Sequence, residues 1–92
     1  MSGTHHTPAA ELVTRELIEA DFEIAFNLID LSQVELECED RPAATRVLAD
    51  AGDIFRDIER RLILIGDGKS LPFRPLVEEL KRQLNLAESH MA

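Results

Sequence analysis

The sequence predicts an all-α protein: an antiparallel helical hairpin with a short C-terminal helix, dimerising into a helical bundle. Apolar residues make up 45% of the 92 residues, enough to form the core of a single small domain. They recur at steps of three and four residues, as on one side of an α-helix, and the alternation typical of strands is missing. The short turn Glu39-Asp40-Arg41-Pro42 joins the two longest periodic segments, so the helices on either side should be antiparallel.

The first helix is predicted over about 8–38, after a flexible tail at 1–7. Thr7 suits a cap position and Pro8 suits a first turn, where the backbone N–H has no helical partner. The apolar side chains spread over roughly 180–200° of the helix, whereas one partner helix covers only about 100°. The first helix therefore needs at least two neighbours.

The second helix is predicted over about 42–65, with Asp40 as its cap and Gly66 as its terminator. Seven of its apolar residues fall at alternating steps of four and three over three full heptads, which predicts a continuous seam against the first helix. The residues predicted for this hairpin seam are Leu17, Ile24, Leu28 and Leu31 on the first helix and Ala44, Leu48, Ala51, Phe55, Ile58, Leu62 and Ile65 on the second.

A third helix is predicted over about 75–88, where Leu76, Leu80 and Leu84 share one side. Because a residue before proline avoids the helical region, Leu71-Pro72-Phe73-Arg74-Pro75 is predicted to be an extended connector. Phe73 is expected to cover the open end of the hairpin. Residues 8–89 thus form one helical domain, and residues 90–92 should fray.

The apolar arc of the first helix predicts a homodimer, because a short third helix cannot cover a helix about 45 Å long. Gly52 lies mid-helix beside small residues, which fits either close approach of another backbone or neutral drift. The residues predicted for the face between copies are Ile18, Phe22, Ala25, Ile29, Leu36, Val47, Gly52 and Ile54.

Two polar residues, Asp21 and Glu35, interrupt the apolar arc of the first helix, and Ser32 lies near them. Asp21 should lie across from Ile58, one turn from Arg61, which favours an Asp21–Arg61 ion pair that fixes register or partner orientation. The alternative is a ligand pocket in which Asp21 is a buried carboxylate, with Ser32, Glu35 and Arg61 beside it.

The charge of the chain limits its partners. Net charge is −8, and residues 8–38 hold eight acids against Arg15 alone. Such a surface repels phosphate, so neither nucleic acid nor an anionic membrane is an expected partner, whereas a basic protein surface is. No run of 18 apolar residues is present to span a membrane.

No residue pattern predicts an enzyme, a cofactor or a metal. The predicted helices contain no histidine, so neither a carboxylate-bridged metal site nor a phosphotransfer site is expected in the bundle. Cys38 is the single cysteine and can form no internal disulfide, which favours a reducing compartment and a cytoplasmic protein. Its expected role is an apolar filler near the turn, with a bond to a second copy as the alternative.

These observations favour a non-enzymatic helical interaction or assembly module that forms a homodimer. Two alternatives stay open: a ligand-binding helical bundle with Asp21 as its buried carboxylate, and an acidic, antitoxin-like regulator that binds a basic protein.

Overall fold

Helices account for nearly all of the structure. The computed structural model describes the backbone of residues 6–91 and the side chains of residues 14–91. The elements in order are α1 (His6–Glu37), α2 (Arg41–Ile65), a single helical turn α3 (Asp67–Ser70), a 3-10 turn (Leu71–Phe73) and α4 (Arg74–Met91). No strand occurs in the described range, so the predicted all-α hairpin with a C-terminal helix is confirmed.

The turn between α1 and α2 is a Schellman arrangement. The N–H of Glu39 donates to the Leu36 carbonyl at 3.0 Å, and the N–H of Asp40 donates to the Glu35 carbonyl at 2.9 Å. Glu39 adopts a φ of 63°, the only positive φ at a non-glycine residue within residues 6–91. These bonds satisfy two carbonyls that the end of α1 would otherwise leave unpaired.

Asp40 caps α2, as the sequence predicts. Its Oδ1 accepts from the N–H of Ala43 at 3.1 Å, and Pro42 occupies the first turn, where no N–H donor is needed. The helix ends at Gly66, whose φ of 90° and ψ of 161° are open essentially to glycine alone. The cap and the glycine together fix the length of α2 at 25 residues.

The connection between α2 and α4 is helical, so the predicted extended connector is wrong. Leu71 and Arg74, which precede the two prolines, have φ/ψ of −51°/−46° and −56°/−45°. The restriction before proline is a preference rather than a prohibition. Here Pro72 falls in the first turn of the 3-10 segment and Pro75 falls in the first turn of α4, where a missing N–H is tolerated. Burial of Phe73, which is 4% exposed, helps to hold the segment in this conformation.

The core lies between the facing sides of α1, α2 and α4. Phe73 stacks on Phe22 with 6.1 Å between ring centroids. The other buried core residues are Ile18, Ala25 and Ile29 on α1, Ala44, Leu48, Ala51 and Ile58 on α2, and Leu80, Leu84 and Ala87 on α4. The partly buried seam residues of α2 that pack against them are Phe55, Leu62 and Ile65. The buried side of α2 is therefore the one to which its spacing points.

The side of α1 that faces the core differs from the predicted seam, which is a correction. Leu17, Ile24 and Leu31 are 46%, 46% and 43% exposed, while Leu28 is half-buried. The apolar arc of α1 is wider than one helix can cover, so periodicity alone admits either half of it. Phe22, buried between the rings of Phe26 and Phe73, selects the other half, because a large aromatic ring contributes most when it is buried.

The C-terminal helix extends back to the hairpin turn. Nη1 of Arg41 donates to the Met91 carbonyl at 2.5 Å, and Nδ1 of His90 lies 3.3 Å from Oε1 of Gln33. α4 therefore continues through Met91, beyond residue 88, where the sequence predicts its end. At the other terminus α1 begins at His6. Residues 1–5 of the predicted tail and Ala92 lie outside the described residues.

Candidate functional site

An uncovered stripe runs along the side of α1 that faces away from α4. Its members follow at alternating steps of three and four residues, the spacing of a coiled-coil seam. We term it the outer stripe, and its residues are Leu17, Ala20, Ile24, Asn27, Leu31 and Val34 on α1, and Cys38 directly after the end of α1. All seven are exposed, and Val34 is the most exposed of the four large apolar residues, at 50%. Gln33, which meets His90 of α4, projects from the opposite side of α1.

Acidic residues border the outer stripe on one side. Each directly precedes a stripe residue, so they repeat every seven residues along α1. We term them the acidic row, which consists of Glu16, Glu23, Asp30 and Glu37. All four side chains are exposed, and no Lys or Arg within residues 14–91 forms an ion pair with them. The row is therefore a line of uncompensated negative charge.

Several acids on the other long helices are, by contrast, compensated within their own helix. Three of them pair with an arginine three residues further along: Asp53 with Arg56, Asp57 with Arg60, and Glu79 with Arg82. Hydrogen bonds from Arg82 and then from Gln83 lower the pKa of Glu79. Since Arg15 is the only Lys or Arg in α1, the negative potential of the protein is concentrated along that helix.

Much of the face that the sequence predicts for contact between copies lies inside the molecule. The predicted residues that are at most 4% exposed are Ile18, Phe22, Ala25 and Ile29. Those that are half-buried are Leu36, Val47, Gly52 and Ile54. The assignment is therefore wrong for α1, where the two halves of the apolar arc exchange roles: the predicted oligomer face packs internally, and much of the predicted seam is exposed.

The structure brings Asp21 and Arg61 together across the hairpin, where Nη1 of Arg61 donates to Oδ2 of Asp21. The side chains are 19% exposed for Asp21 and 35% for Arg61. Ser32 is buried, and its Oγ donates to the Ile29 carbonyl at 2.7 Å, while Glu35 is half-buried. No buried side-chain nitrogen or oxygen among residues 14–91 lacks a hydrogen-bond partner. The polar groups proposed for a ligand pocket thus have bonds within the chain, or reach the surface.

A surface groove of about 390 Å³ lies where α2 is followed by α3. The residues that line it are Glu59, Leu62, Ile63, Asp67, Ser70, Arg74, Val77 and Glu78. Its four charged residues are all exposed, which is typical of a solvent-filled crease between helices rather than of an enclosed ligand site. No group of three His, Cys, Asp or Glu within the described range could hold a metal ion.

Ala20, Asn27 and Val34 are the stripe residues that the seam predicted from the sequence does not include. They alternate with Leu17, Ile24, Leu31 and Cys38 at regular steps, so the signal was present in the spacing. Two of these three positions carry a small residue, Ala20, and an amide, Asn27, and neither residue type by itself indicates an apolar seam.

The fold and its surface define a class of protein, a small helical bundle with an uncovered apolar stripe along α1. None of the helices described combines the length and apolarity needed to cross a membrane. No protein-family model, curated protein or solved structure matches the chain.

Proposed function

We propose that this chain is a non-enzymatic helical interaction module whose binding surface is the outer stripe of α1. The observation that supports it most is the regular spacing of seven exposed residues, four of them large and apolar. Monomeric proteins rarely expose a large contiguous apolar surface, and such a surface marks an interaction site. An amphipathic helix laid along the stripe would cover it, in the manner of other helix-in-groove complexes.

One further observation supports a binding role rather than catalysis, and another supports a cytoplasmic location. Asp21, Ser32 and Arg61 have hydrogen bonds within the chain, which favours a structural role for these polar groups. Cys38 is an exposed free thiol, which suits a reducing compartment.

Self-association is one way to cover the stripe, and the predicted homodimer stays a prediction here. A second copy would lay its own α1 against the stripe, giving a bundle with the stripe at its centre. A different protein could present an equivalent helix. The two cases differ in the mass of the complex, so one experiment addresses both.

Site-specific photo-crosslinking in the native cells tests the proposal. A benzophenone side chain in place of Ile24 or Val34 should give a discrete adduct after irradiation, because both positions lie on the stripe. The matched control is Leu86 on α4, which is 47% exposed, close to the 46% of Ile24, but lies off the stripe. An adduct of twice the 10.3 kDa chain mass identifies a second copy, and any other mass identifies a different protein.

The adduct at Val34 should disappear when Ile24 is replaced by Glu. That change places a charge on a surface position, so it should alter the free energy of unfolding by less than about 1 kcal/mol. The proposal fails if positions 24 and 34 give no adduct, or if position 86 gives the same adducts.

A further inference from the structure

The charges that border the outer stripe determine which helix can dock there. In a contact between two helices, the residues on either side of the apolar seam face the partner and select it by charge. One border here is the acidic row. The other border, at the same seven-residue repeat, carries Asp21, Leu28 and Glu35. Neither border contains a basic residue, and Asp21 is already paired with Arg61 of the same chain.

A second copy of the chain is a poor match for these borders. In a parallel pair the acidic row faces the other border of the partner, so that Asp30 meets Glu35, and Glu16 meets Asp21, whose charge Arg61 partly offsets. In an antiparallel pair the acidic row faces the acidic row of the other copy. Either arrangement brings like charges together as the seam is desolvated, which disfavours association.

A basic helix avoids this repulsion in both the parallel and the antiparallel orientation. We propose that the outer stripe binds a basic amphipathic helix of another protein in preference to a second copy of this chain, an inference that rests on the proposed function above. The partner helix carries apolar residues at steps of three and four, with Lys or Arg on both borders. About 20 residues of helix match the roughly 30 Å length of the stripe. Asn27, the one amide in the stripe, favours a polar residue opposite it and so fixes the register.

Two synthetic helical peptides of about 24 residues provide the probe. Both carry Leu at the seam positions and one Asn to meet Asn27; one has Lys at the border positions and the other has Glu there. Fluorescence anisotropy of each labelled peptide against the full chain gives its Kd. We expect the Lys peptide to bind at least about tenfold more tightly than the Glu peptide. The difference should shrink between about 50 mM and about 500 mM NaCl, because salt screens exposed charges.

A charge-reversal variant separates the acidic row from net charge. E23K/D30K should weaken the Lys peptide by about tenfold and strengthen the Glu peptide. The matched control is E78K/E88K, which makes the same change in net charge at two exposed positions of α4. This control should retain the preference for the Lys peptide.

Different results overturn the inference and the proposed function. If both peptides bind equally and Ile24→Glu abolishes both, the stripe is an interaction surface but the charge selection is wrong. Sedimentation equilibrium showing a dimer at micromolar concentration, lost in Ile24→Glu, also overturns the basic-partner inference while it leaves the interaction module intact. Binding of the Lys peptide that Ile24→Glu does not change contradicts both, because it places the binding away from the stripe.

Discussion

Glu39 occupies a backbone position that glycine fills with less strain. Its φ of 63° is required by the Schellman bonds that its own N–H and that of Asp40 make to the end of α1. The left-handed region costs an L-residue with a Cβ roughly 1–2 kcal/mol. The turn therefore forms at an energetic cost that the packing of α1 against α2 has to offset.

Glu39→Gly should raise the free energy of unfolding by about 0.5–1 kcal/mol, since the relief of strain exceeds the added flexibility of the unfolded chain. Urea denaturation followed by far-UV circular dichroism measures the change. Glu19→Gly serves as the control, because the same substitution at an exposed mid-helix position should lower stability by about 1 kcal/mol. A loss of stability in Glu39→Gly would show that the side chain of Glu39 contributes more than its strain costs.

At the scale of the element, α2 contains Gly52, which its fold does not require. The helix ends before Gly66, and this second glycine is required by the backbone conformation. No atom lies within 4 Å of the position that a Cβ on Gly52 would take, apart from the backbone of its own helix and its chain neighbours. Close approach of another part of the described chain therefore does not explain Gly52. Gly66 has a φ of 90°, and its N–H donates to the Ile63 carbonyl at 3.3 Å. Its conformation stops the helix and begins the return to α4.

Substitution of the two glycines by alanine should change the free energy of unfolding in opposite directions. Gly52→Ala should raise the free energy of unfolding by about 1 kcal/mol, because alanine has the higher helix propensity and space for its methyl group is available. Gly66→Ala should lower it by about 1–3 kcal/mol, because alanine is strained there. Thermal and urea unfolding of the two variants measure both. A destabilised Gly52→Ala would instead indicate that another molecule packs against this side of α2.

The elements that could be predicted from the sequence are those in which one physical signal dominates. α2 has an uninterrupted seam, an Asp cap and a glycine stop, and the structure has all three. α1 has an apolar arc broader than one partner covers, so its spacing shows that part stays uncovered but not which part. The choice depends on Phe73, a residue far along the chain that stacks on Phe22. The helical conformation around Pro72 likewise depends on tertiary packing, which local sequence preferences do not reveal.

At the scale of the whole molecule, the distribution of charge opposes folding. Residues 8–38 account for seven of the eight net negative charges, and the exposed acids of α1 repeat along one rod. Like charges held within a few residues repel, and no ion pair offsets the repulsion at the acidic row among the residues described. The three arginine pairs on α2 and α4 are exposed and contribute little.

Salt should therefore stabilise the protein. Between about 10 mM and about 500 mM NaCl the Debye length falls from about 30 Å to about 4 Å, which screens the repulsion along α1. We expect the unfolding midpoint in urea to rise over this range. E23K/D30K, which halves the net charge, should show a smaller rise. A midpoint that falls with added salt would mean that the short-range arginine pairs outweigh the repulsion.

The elongated shape of the bundle affects how it moves in solution. Its radius of gyration is 15.9 Å, and its extents are 59 × 18 × 14 Å. A compact domain of this length would have a radius of gyration of about 12 Å. A rod of these proportions experiences more friction than a sphere of equal mass, so a single copy should leave a gel-filtration column early, at the volume of a heavier globular standard. Its tumbling is also anisotropic. Backbone N–H bonds in α1 lie along the rod, so their nuclear magnetic relaxation should show a longer effective correlation time than that of the amides in the turn at Cys38–Asp40.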